Sequence, residues 1–103
     1  MFYTYRQNNS GGSFHTDLKS GITNYVIIEA KSADDADDRA ESIGLYFDGC
    51  EKDMDCDCCG DRWYRTYEDE ATELPEVYGD PIEKEGTDVA VHYLDGTFKL
   101  FGS

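Results

Sequence analysis

The chain has 103 residues, the size of one small domain, and its 9 Lys and Arg residues stand against 23 Asp and Glu residues, a formal net charge of −14. Nucleic acids and anionic membranes attract lysine and arginine, so this composition excludes direct binding to either. Hydrophobic residues make up only 39% of the chain, which predicts a small hydrophobic core. A bound metal ion would add stability to a domain of this kind. The charge favours a basic protein surface as the partner, unless acidity serves solubility alone.

The first third of the chain predicts two strands. Residues 2–6 alternate aromatic and polar side chains, as an opening strand does. Residues 7–13 are polar and contain glycine, which is typical of a loop. Residues 24–30 are rich in β-branched and aromatic side chains, so we expect a central strand there.

A helix is predicted over residues 33–43. Ser32 is suited to the N-cap position, acidic residues follow in the first turn, and Gly44 is placed to end the helix. Small apolar side chains recur at helical spacing and would let the helix lie close on a sheet: Ala33, Ala36, Ala40 and Ile43.

The second half predicts further strands. Residues 62–67 have the aromatic content of a short strand, and residues 68–88 are acidic and turn-forming. Residues 88–94 and 97–101, joined by Asp-Gly at 95–96, predict a β-hairpin. The whole chain, residues 1–103, is therefore expected to be a single α+β domain, with four or five mostly antiparallel strands and one helix on one face.

Four cysteines lie within ten residues and predict a zinc-binding loop: Cys50, Cys56, Cys58 and Cys59. The two residues between Cys56 and Cys59 let both sulfurs reach one ion, and Gly60 relieves the turn that follows. Because Cys58 and Cys59 are adjacent, both can bind the ion only if the backbone between them is bent. His15 and His92 are therefore alternatives for the fourth ligand, although His92 falls inside a predicted strand.

Other roles for this loop fit less well. A redox Cys-x-x-Cys pair lacks a thioredoxin-like βαβ context, and the neighbouring carboxylates would raise a thiol pKa. Asp53, Asp55 and Asp57 suggest a calcium loop, but Cys58 stands where glycine is needed and Tyr64 where glutamate is needed. A closed four-ligand zinc site leaves no position for a reactive water, and no catalytic motif is present, so we do not expect an enzyme.

The location of the protein is expected to be the cytoplasm. The first residues lack the basic start and apolar run of a signal peptide. No stretch approaches the ~20 apolar residues that span a bilayer.

Three pieces of sequence resemble a family of small acidic bacteriophage proteins. They are Gln-Asn-Asn-Ser-Gly-Gly-Ser-Phe at 7–14, Tyr-Val-Ile-Ile-Glu-Ala at 25–30, and Tyr-Phe-Asp-Gly-Cys at 46–50 followed by the C-x-C-C-G-D-R-W motif at 56–63. The resemblance covers about the first two thirds of the chain and implies a phage product that acts in an infected bacterial host. In composition the chain is also similar to anti-CRISPR proteins, of which a zinc-containing inhibitor of a type II-A CRISPR effector nuclease is one.

The functional hypothesis from these observations is an anti-defence protein that binds a basic surface of a nucleic-acid-handling host protein, such as a CRISPR effector nuclease, and blocks nucleic-acid loading. Five carboxylates on the predicted helix, offset by Arg39, would give a charge density of the same order as that of a DNA backbone. Two acidic patches compete for the contact. One is Asp34, Asp35, Asp37, Asp38 and Glu41; the other is Glu68, Asp69, Glu70 and Glu73.

An alternative hypothesis is a structural or regulatory zinc domain that docks to a phage or host protein through its tyrosines. Acidity would then serve solubility only.

Overall fold

The computed structural model describes residues 1–8, 16–51, 60–77, 80–81 and 84–102. Within these ranges the chain forms one α-helix, a short 3-10 helix and six strands. They are β1 (Phe2–Arg6), β2 (Tyr25–Glu29), α1 (Ala33–Ile43), the 3-10 helix (Glu68–Glu70), β3 (Glu76–Val77), β4 (Asp80–Pro81), β5 (Lys84–His92) and β6 (Phe98–Gly102).

The main sheet has four strands in the order β1-β2-β5-β6, and β3 pairs with β4 in a separate ribbon. β1 pairs antiparallel with β2, and β5 pairs antiparallel with β6, whereas β2 and β5 run parallel. A parallel pair needs a long crossover connection, and the chain that contains α1 lies within it. The α+β prediction is confirmed, with a mixed sheet in which antiparallel pairs predominate.

Helix α1 has the predicted bounds, and its local signals act as expected. The backbone N–H of Asp35 donates to the Ser32 hydroxyl at 3.1 Å, which satisfies one of the N–H groups that have no partner within the helix. At the other end Gly44 has φ 121° and its N–H reaches the carbonyls of Ala40 and Glu41. A positive φ of this kind favours glycine, so the helix ends there.

The core lies on both faces of the sheet because β2 is a central strand. Val26 and Ile28 belong to the larger cluster, which includes the alanine face of α1, whereas Ile27 belongs to a smaller cluster with Val89 and Val91. Successive strand side chains point to opposite faces, and all three β2 residues are fully buried. Large aromatic side chains complete the main cluster: Tyr3, Tyr5, Phe47 and Trp63.

The prediction of a strand at residues 62–67 is wrong. This segment joins no sheet ladder, although Trp63 is buried and Tyr64 is exposed, an alternation typical of a strand. Its backbone groups bond elsewhere instead. The Arg62 carbonyl accepts from the Asn8 N–H at 2.9 Å, and the Thr66 N–H donates to the Asp37 carboxylate at 3.1 Å.

The predicted hairpin exists, with a wider turn and a longer first strand. β5 begins at Lys84, and the last paired residues are His92 and Phe98. The Asp95 carboxylate accepts from the Thr97 N–H at 2.9 Å and from its hydroxyl at 2.6 Å. These bonds brace the inside of the turn, and backbone bonds close it: the Tyr93 N–H donates to the Thr97 carbonyl at 2.8 Å and the Gly96 N–H to the Tyr93 carbonyl at 3.0 Å. The Asp-Gly pair alone predicts a tighter, two-residue turn.

Candidate functional site

Four carboxylates of helix α1 form an exposed acidic surface, called here the helix patch: Asp34, Asp35, Asp38 and Glu41. Their Cα atoms span about 10 Å along the axis at a rise of about 1.5 Å per residue. The capped helix is packed on the sheet through its alanines, so these charges are held on a rigid element.

Asp37, the fifth predicted helix contact, has a different environment. Its Oδ1 accepts a hydrogen bond from the Tyr5 hydroxyl at 2.7 Å and another from the Thr66 N–H at 3.1 Å. Burial, and then the bond to Asp37, raise the pKa of Tyr5 well above its usual value. Asp37 therefore joins β1, α1 and the segment after Trp63, and we do not count it in the helix patch.

The second predicted acidic stretch lies on and after the 3-10 helix, and its four residues are exposed. Glu68 also has an internal role, since its carboxylate accepts from the Ala33 N–H at 2.6 Å and from the Tyr3 hydroxyl at 3.0 Å. A carboxylate at a helix N-terminus accepts a hydrogen bond from an N–H that has no partner within the helix. Its negative charge also interacts favourably with the positive end of the helix dipole. Glu70 accepts from the Thr66 hydroxyl at 2.9 Å. These internal bonds involve Glu68 and Glu70, whereas Asp69 and Glu73 are the charges of this stretch that take no part in them.

An arginine already lies between an aromatic ring and a carboxylate next to the helix. The Arg65 guanidinium lies 5.0 Å from the centroid of the Phe47 ring and 2.7 Å from Asp48. The hydrogen bond to Asp48 raises the pKa of Arg65, burial opposes this, and the charges of Asp48, Glu41 and Asp37 add to the rise. This arrangement combines a cation–π contact with an ion pair at the surface.

A cavity of about 260 Å³ opens beside this arginine; we call it the aromatic cavity. Among the described residues, its aromatic lining is Phe47, Trp63, Tyr64 and Tyr67, and its charged lining is Asp48, Asp61, Arg65 and Glu70. Tyr64 and Tyr67 are 56% and 66% exposed, whereas Trp63 is 1% exposed. Trp63 is therefore a core residue, whereas Tyr64 and Tyr67 are largely exposed to solvent.

The indole N–H of Trp63 is buried and has no hydrogen-bond partner in the part of the chain that the structure describes. Buried donors are normally bonded. Trp63 lines the aromatic cavity, so this donor belongs to a side chain of the candidate site.

Of the predicted zinc ligands, Cys50 is described, while Cys56, Cys58, Cys59 and His15 lie outside the described residues. The Cys50 N–H donates to Asp61 Oδ1 at 2.9 Å, and hydrogen bonds from Cys50 lower the pKa of Asp61. This bond holds together the two ends of the segment that contains the other cysteines. Within the described ranges no group of three or more His, Cys, Asp or Glu residues is arranged to hold a metal.

His92, the other alternative ligand, is a buried residue of β5. Its Nε2 lies 2.8 Å from the Gly21 carbonyl oxygen, which places the proton on Nε2, and its Nδ1 has no partner among the described residues. Burial lowers the pKa of His92, the bond to Gly21 opposes this, and the charge of Arg39 adds to the lowering. The prediction of a strand residue is confirmed.

The sequence did not single out Arg65, Tyr67 or Asp48 as site residues. Asp48 has a φ of 59°, a conformation that Asp tolerates better than most residues. The Asp48-Gly49 pair was the available sequence signal for a sharp turn at this point, where Phe47 and Asp48 both contact Arg65.

The family comparison matches residues 1–103, the entire sequence, to a family described as Domain of unknown function (DUF7296). The chain therefore belongs to this family. Comparisons with curated proteins and with solved structures found no match. Among the described residues, every helix is too short or too polar to cross a membrane.

Proposed function

We propose that this member of the DUF7296 family is an acidic binding protein that occupies a basic surface of a nucleic-acid-handling host protein and blocks the loading of nucleic acid. The proposal includes a phage origin, action in the cytoplasm of an infected bacterium, and a CRISPR effector nuclease of type II-A as the first target to test. The observation that carries the proposal is the helix patch, where four exposed carboxylates lie on one rigid helix.

Rigid charges suit such a contact because they lose little conformational entropy on docking. Duplex DNA carries about one negative charge per 1.7 Å of axis, and the four carboxylates, offset by Arg39, give about one per 3.5 Å, which is of the same order. A channel lined by lysine and arginine would attract both DNA and the helix patch. Opposite charge across an interface acts mainly on the association rate and on specificity.

Asp34 and Asp35 favour the helix from its first turn, but Asp38 and Glu41 act against its stability. Asp34 and Asp38 are four residues apart, as are Asp37 and Glu41, and like charges at this spacing destabilise a helix by about 0.2–0.5 kcal/mol per pair. The last turn contains Glu41 and no basic residue, although the negative end of the helix dipole favours cations there. Asp38 and Glu41 are therefore better explained by a contact than by folding.

Zinc is part of the proposal as a structural ion. Cys50, Cys56, Cys58 and Cys59 would hold it, with His15 as the alternative to Cys58, and the ion would contribute folding free energy. The bond from Cys50 to Asp61 supports this role, because it brings the ends of the cysteine segment together through the protein's own atoms.

The test uses two charge-reversed variants that each replace two carboxylates. Asp38→Lys with Glu41→Lys alters the helix patch, and Asp69→Lys with Glu73→Lys is the matched control on the second stretch. Each is added to a guide-loaded type II-A effector nuclease before or after its target DNA, and cleavage is measured at two salt concentrations. We expect inhibition by the parent when it is added first, a several-fold loss with the helix variant and little change with the control.

Thermal unfolding completes this experiment. The helix variant should be at least as stable as the parent, because the loss of two like-charge pairs and the cations near the helix C-terminus offset the loss of the attraction between Glu41 and Arg65. Weaker inhibition in a protein at least as stable as the parent cannot result from misfolding. Absence of inhibition by the parent in every order of addition would reject this target, and equal inhibition by the helix variant would reject the helix patch.

A second candidate function is docking through tyrosines, which the exposure of Tyr64 and Tyr67 favours. Aromatic docking and charge-driven docking differ in their response to salt. Complexes formed by exposed charges weaken steeply as the Debye length falls from about 10 Å at 0.1 M salt, whereas an aromatic contact changes much less. A flat salt response together with loss of binding in Tyr64→Ala would select this second function.

A further inference from the structure

We propose that the aromatic cavity binds the guanidinium group of an arginine side chain on the partner protein. The inference rests on the proposed function in one respect, since it takes the partner surface to be basic. It names the side chains beside the helix patch that would contact the partner, whereas the helix patch alone provides only electrostatic attraction.

The cavity has the dimensions and the charge that such a ligand needs. An apolar cavity of about 150 Å³ is enough for benzene, and this one measures about 260 Å³. Three carboxylates and one guanidinium are among the described residues that line it, which gives this lining a formal charge of −2. The bond that Glu70 accepts from the Thr66 hydroxyl leaves the carboxylate charge in place.

Arg65 shows which chemistry this site accepts. Its guanidinium lies over Phe47 and bonds to Asp48, so the same aromatic and acidic lining already holds one planar cation. Tyr64 and Tyr67 line the same cavity and are more than half exposed. Exposed aromatic faces beside carboxylates bind arginine in particular, because a guanidinium both stacks on rings and bonds to carboxylates.

The position of the cavity also suits a basic partner. Asp37 of α1 accepts from the Thr66 N–H at 3.1 Å, and Thr66 lies between Arg65 and Tyr67, which both line the cavity. The charge of Glu41, one turn further along the helix, also adds to the rise of the Arg65 pKa. The cavity therefore adjoins α1. A partner surface that meets the helix patch would present a neighbouring arginine to the cavity in the same encounter.

The experiment measures arginine binding without the partner. The peptide acetyl-Gly-Ser-Arg-Ser-Gly-amide is titrated into the ¹⁵N-labelled full chain, and a peptide with citrulline in place of arginine is the uncharged control of the same shape. We expect saturable shifts at the amides of residues 64–67 with the arginine peptide and none with the citrulline peptide. Equal shifts with both peptides, or shifts confined to the helix patch, would overturn the inference.

Two double variants at the exposed tyrosines separate a ring contact from apolar bulk. Tyr64→Leu with Tyr67→Leu should weaken peptide binding about five- to thirtyfold, because two cation–π contacts are lost. Tyr64→Phe with Tyr67→Phe keeps both rings and should bind within about twofold of the parent. Leucine variants that bind as tightly as the parent would contradict the proposed site.

Arg65→Gln distinguishes a binding role of the cavity from a purely structural one. The substitution removes the resident cation that competes for Asp48, so peptide binding should become tighter by at least about twofold. Unchanged or weaker binding by a folded Arg65→Gln chain would count against the inference. Nuclease inhibition without arginine binding would reject this inference alone, and arginine binding without inhibition of any nuclease would reject the proposed function alone.

Discussion

The Tyr5 hydroxyl donates a 2.7 Å hydrogen bond to the carboxylate of Asp37 and so joins the edge strand β1 to helix α1. The same carboxylate accepts from the Thr66 N–H, which fixes the segment that leads to the aromatic cavity. One acidic side chain therefore connects the sheet, the helix and the candidate site.

Tyr5→Phe should lower the free energy of unfolding by about 1.5–3 kcal/mol, the usual contribution of a hydrogen bond to a charged group. Tyr5 is buried, and phenylalanine keeps its ring, so the loss measures the hydroxyl bond. Urea unfolding at neutral pH gives the value. A change below about 0.5 kcal/mol would show that the bond adds nothing beyond solvation.

The same variant should change the response to alkaline pH. The folded-state pKa of Tyr5 lies above its ordinary value of 10.0, so its contribution to stability is full below about pH 10 and is lost as the pH rises further. The parent should lose stability above pH 10 more steeply than Tyr5→Phe. Parallel pH profiles for the two chains would contradict this expectation.

Local signals account for the elements that the sequence predicted well. Ser32, Gly44 and the alanine spacing lie within or beside α1, so the bounds of the helix depend on neighbouring residues only. The run of β-branched residues in β2 likewise predicts burial on both faces, which makes this strand central. The predicted strand at 62–67 failed because its aromatic content reflects burial of Trp63, and none of the described strands pairs with it.

The internal roles of acidic residues could not be predicted from the sequence. Asp37 and its donor Tyr5 are 32 residues apart, and Glu68 and its donor Tyr3 are 65 residues apart. Both carboxylates occur among many similar ones, and nothing in the local sequence distinguishes them. The aromatic cavity escaped prediction for the same reason, since Phe47 and Tyr64 meet only through the tertiary fold.

Gly21 and Gly96 form a matched pair for testing a close approach. Both have positive φ values, 72° and 93°, but a Cβ at Gly21 would lie 2.7 Å from the His92 ring and 2.9 Å from Phe98, whereas a Cβ at Gly96 would meet nothing within 4 Å. Gly96→Ala should cost about 1–2 kcal/mol for the backbone alone. Gly21→Ala should cost a further ~1–3 kcal/mol for the overpacking. Equal losses in thermal unfolding would show that the His92 ring moves aside freely.

His92 should titrate below its ordinary pKa of 6.5, because burial disfavours the charged imidazolium. For a lowered histidine pKa the stability contribution is full above about pH 6.5 and is lost as the pH falls through the folded-state value. The Hε1 resonance of His92, followed by NMR from pH 8 to pH 4, reports the pKa directly. A midpoint at or above 6.5 would contradict the buried neutral imidazole.

One zinc ion per chain is the expectation from the cysteine segment, bound with the loss of thiol protons. Purified protein should contain about one equivalent by mass spectrometry, and a strong chelator should lower Tm markedly, since metal binding to such a site contributes folding free energy. Cys59→Ser should release the metal. Metal-free protein with an unchanged melting curve would end this proposal.

The fourth ligand is decided by two variants, Cys58→Ser and His15→Ala. If all four cysteines bind the ion, Cys58→Ser should lower the zinc content and His15→Ala should leave it unchanged; if His15 replaces Cys58, the two results are exchanged. Asp61→Asn is the control for loop closure, because it keeps an oxygen that can accept from the Cys50 N–H and removes only the charge. The Asp61→Asn protein should retain zinc, because the hydrogen bond at the base of the loop is kept. Loss of the metal in this variant would mean that the charge of Asp61, and not the hydrogen bond, holds the cysteine segment in place for the ion.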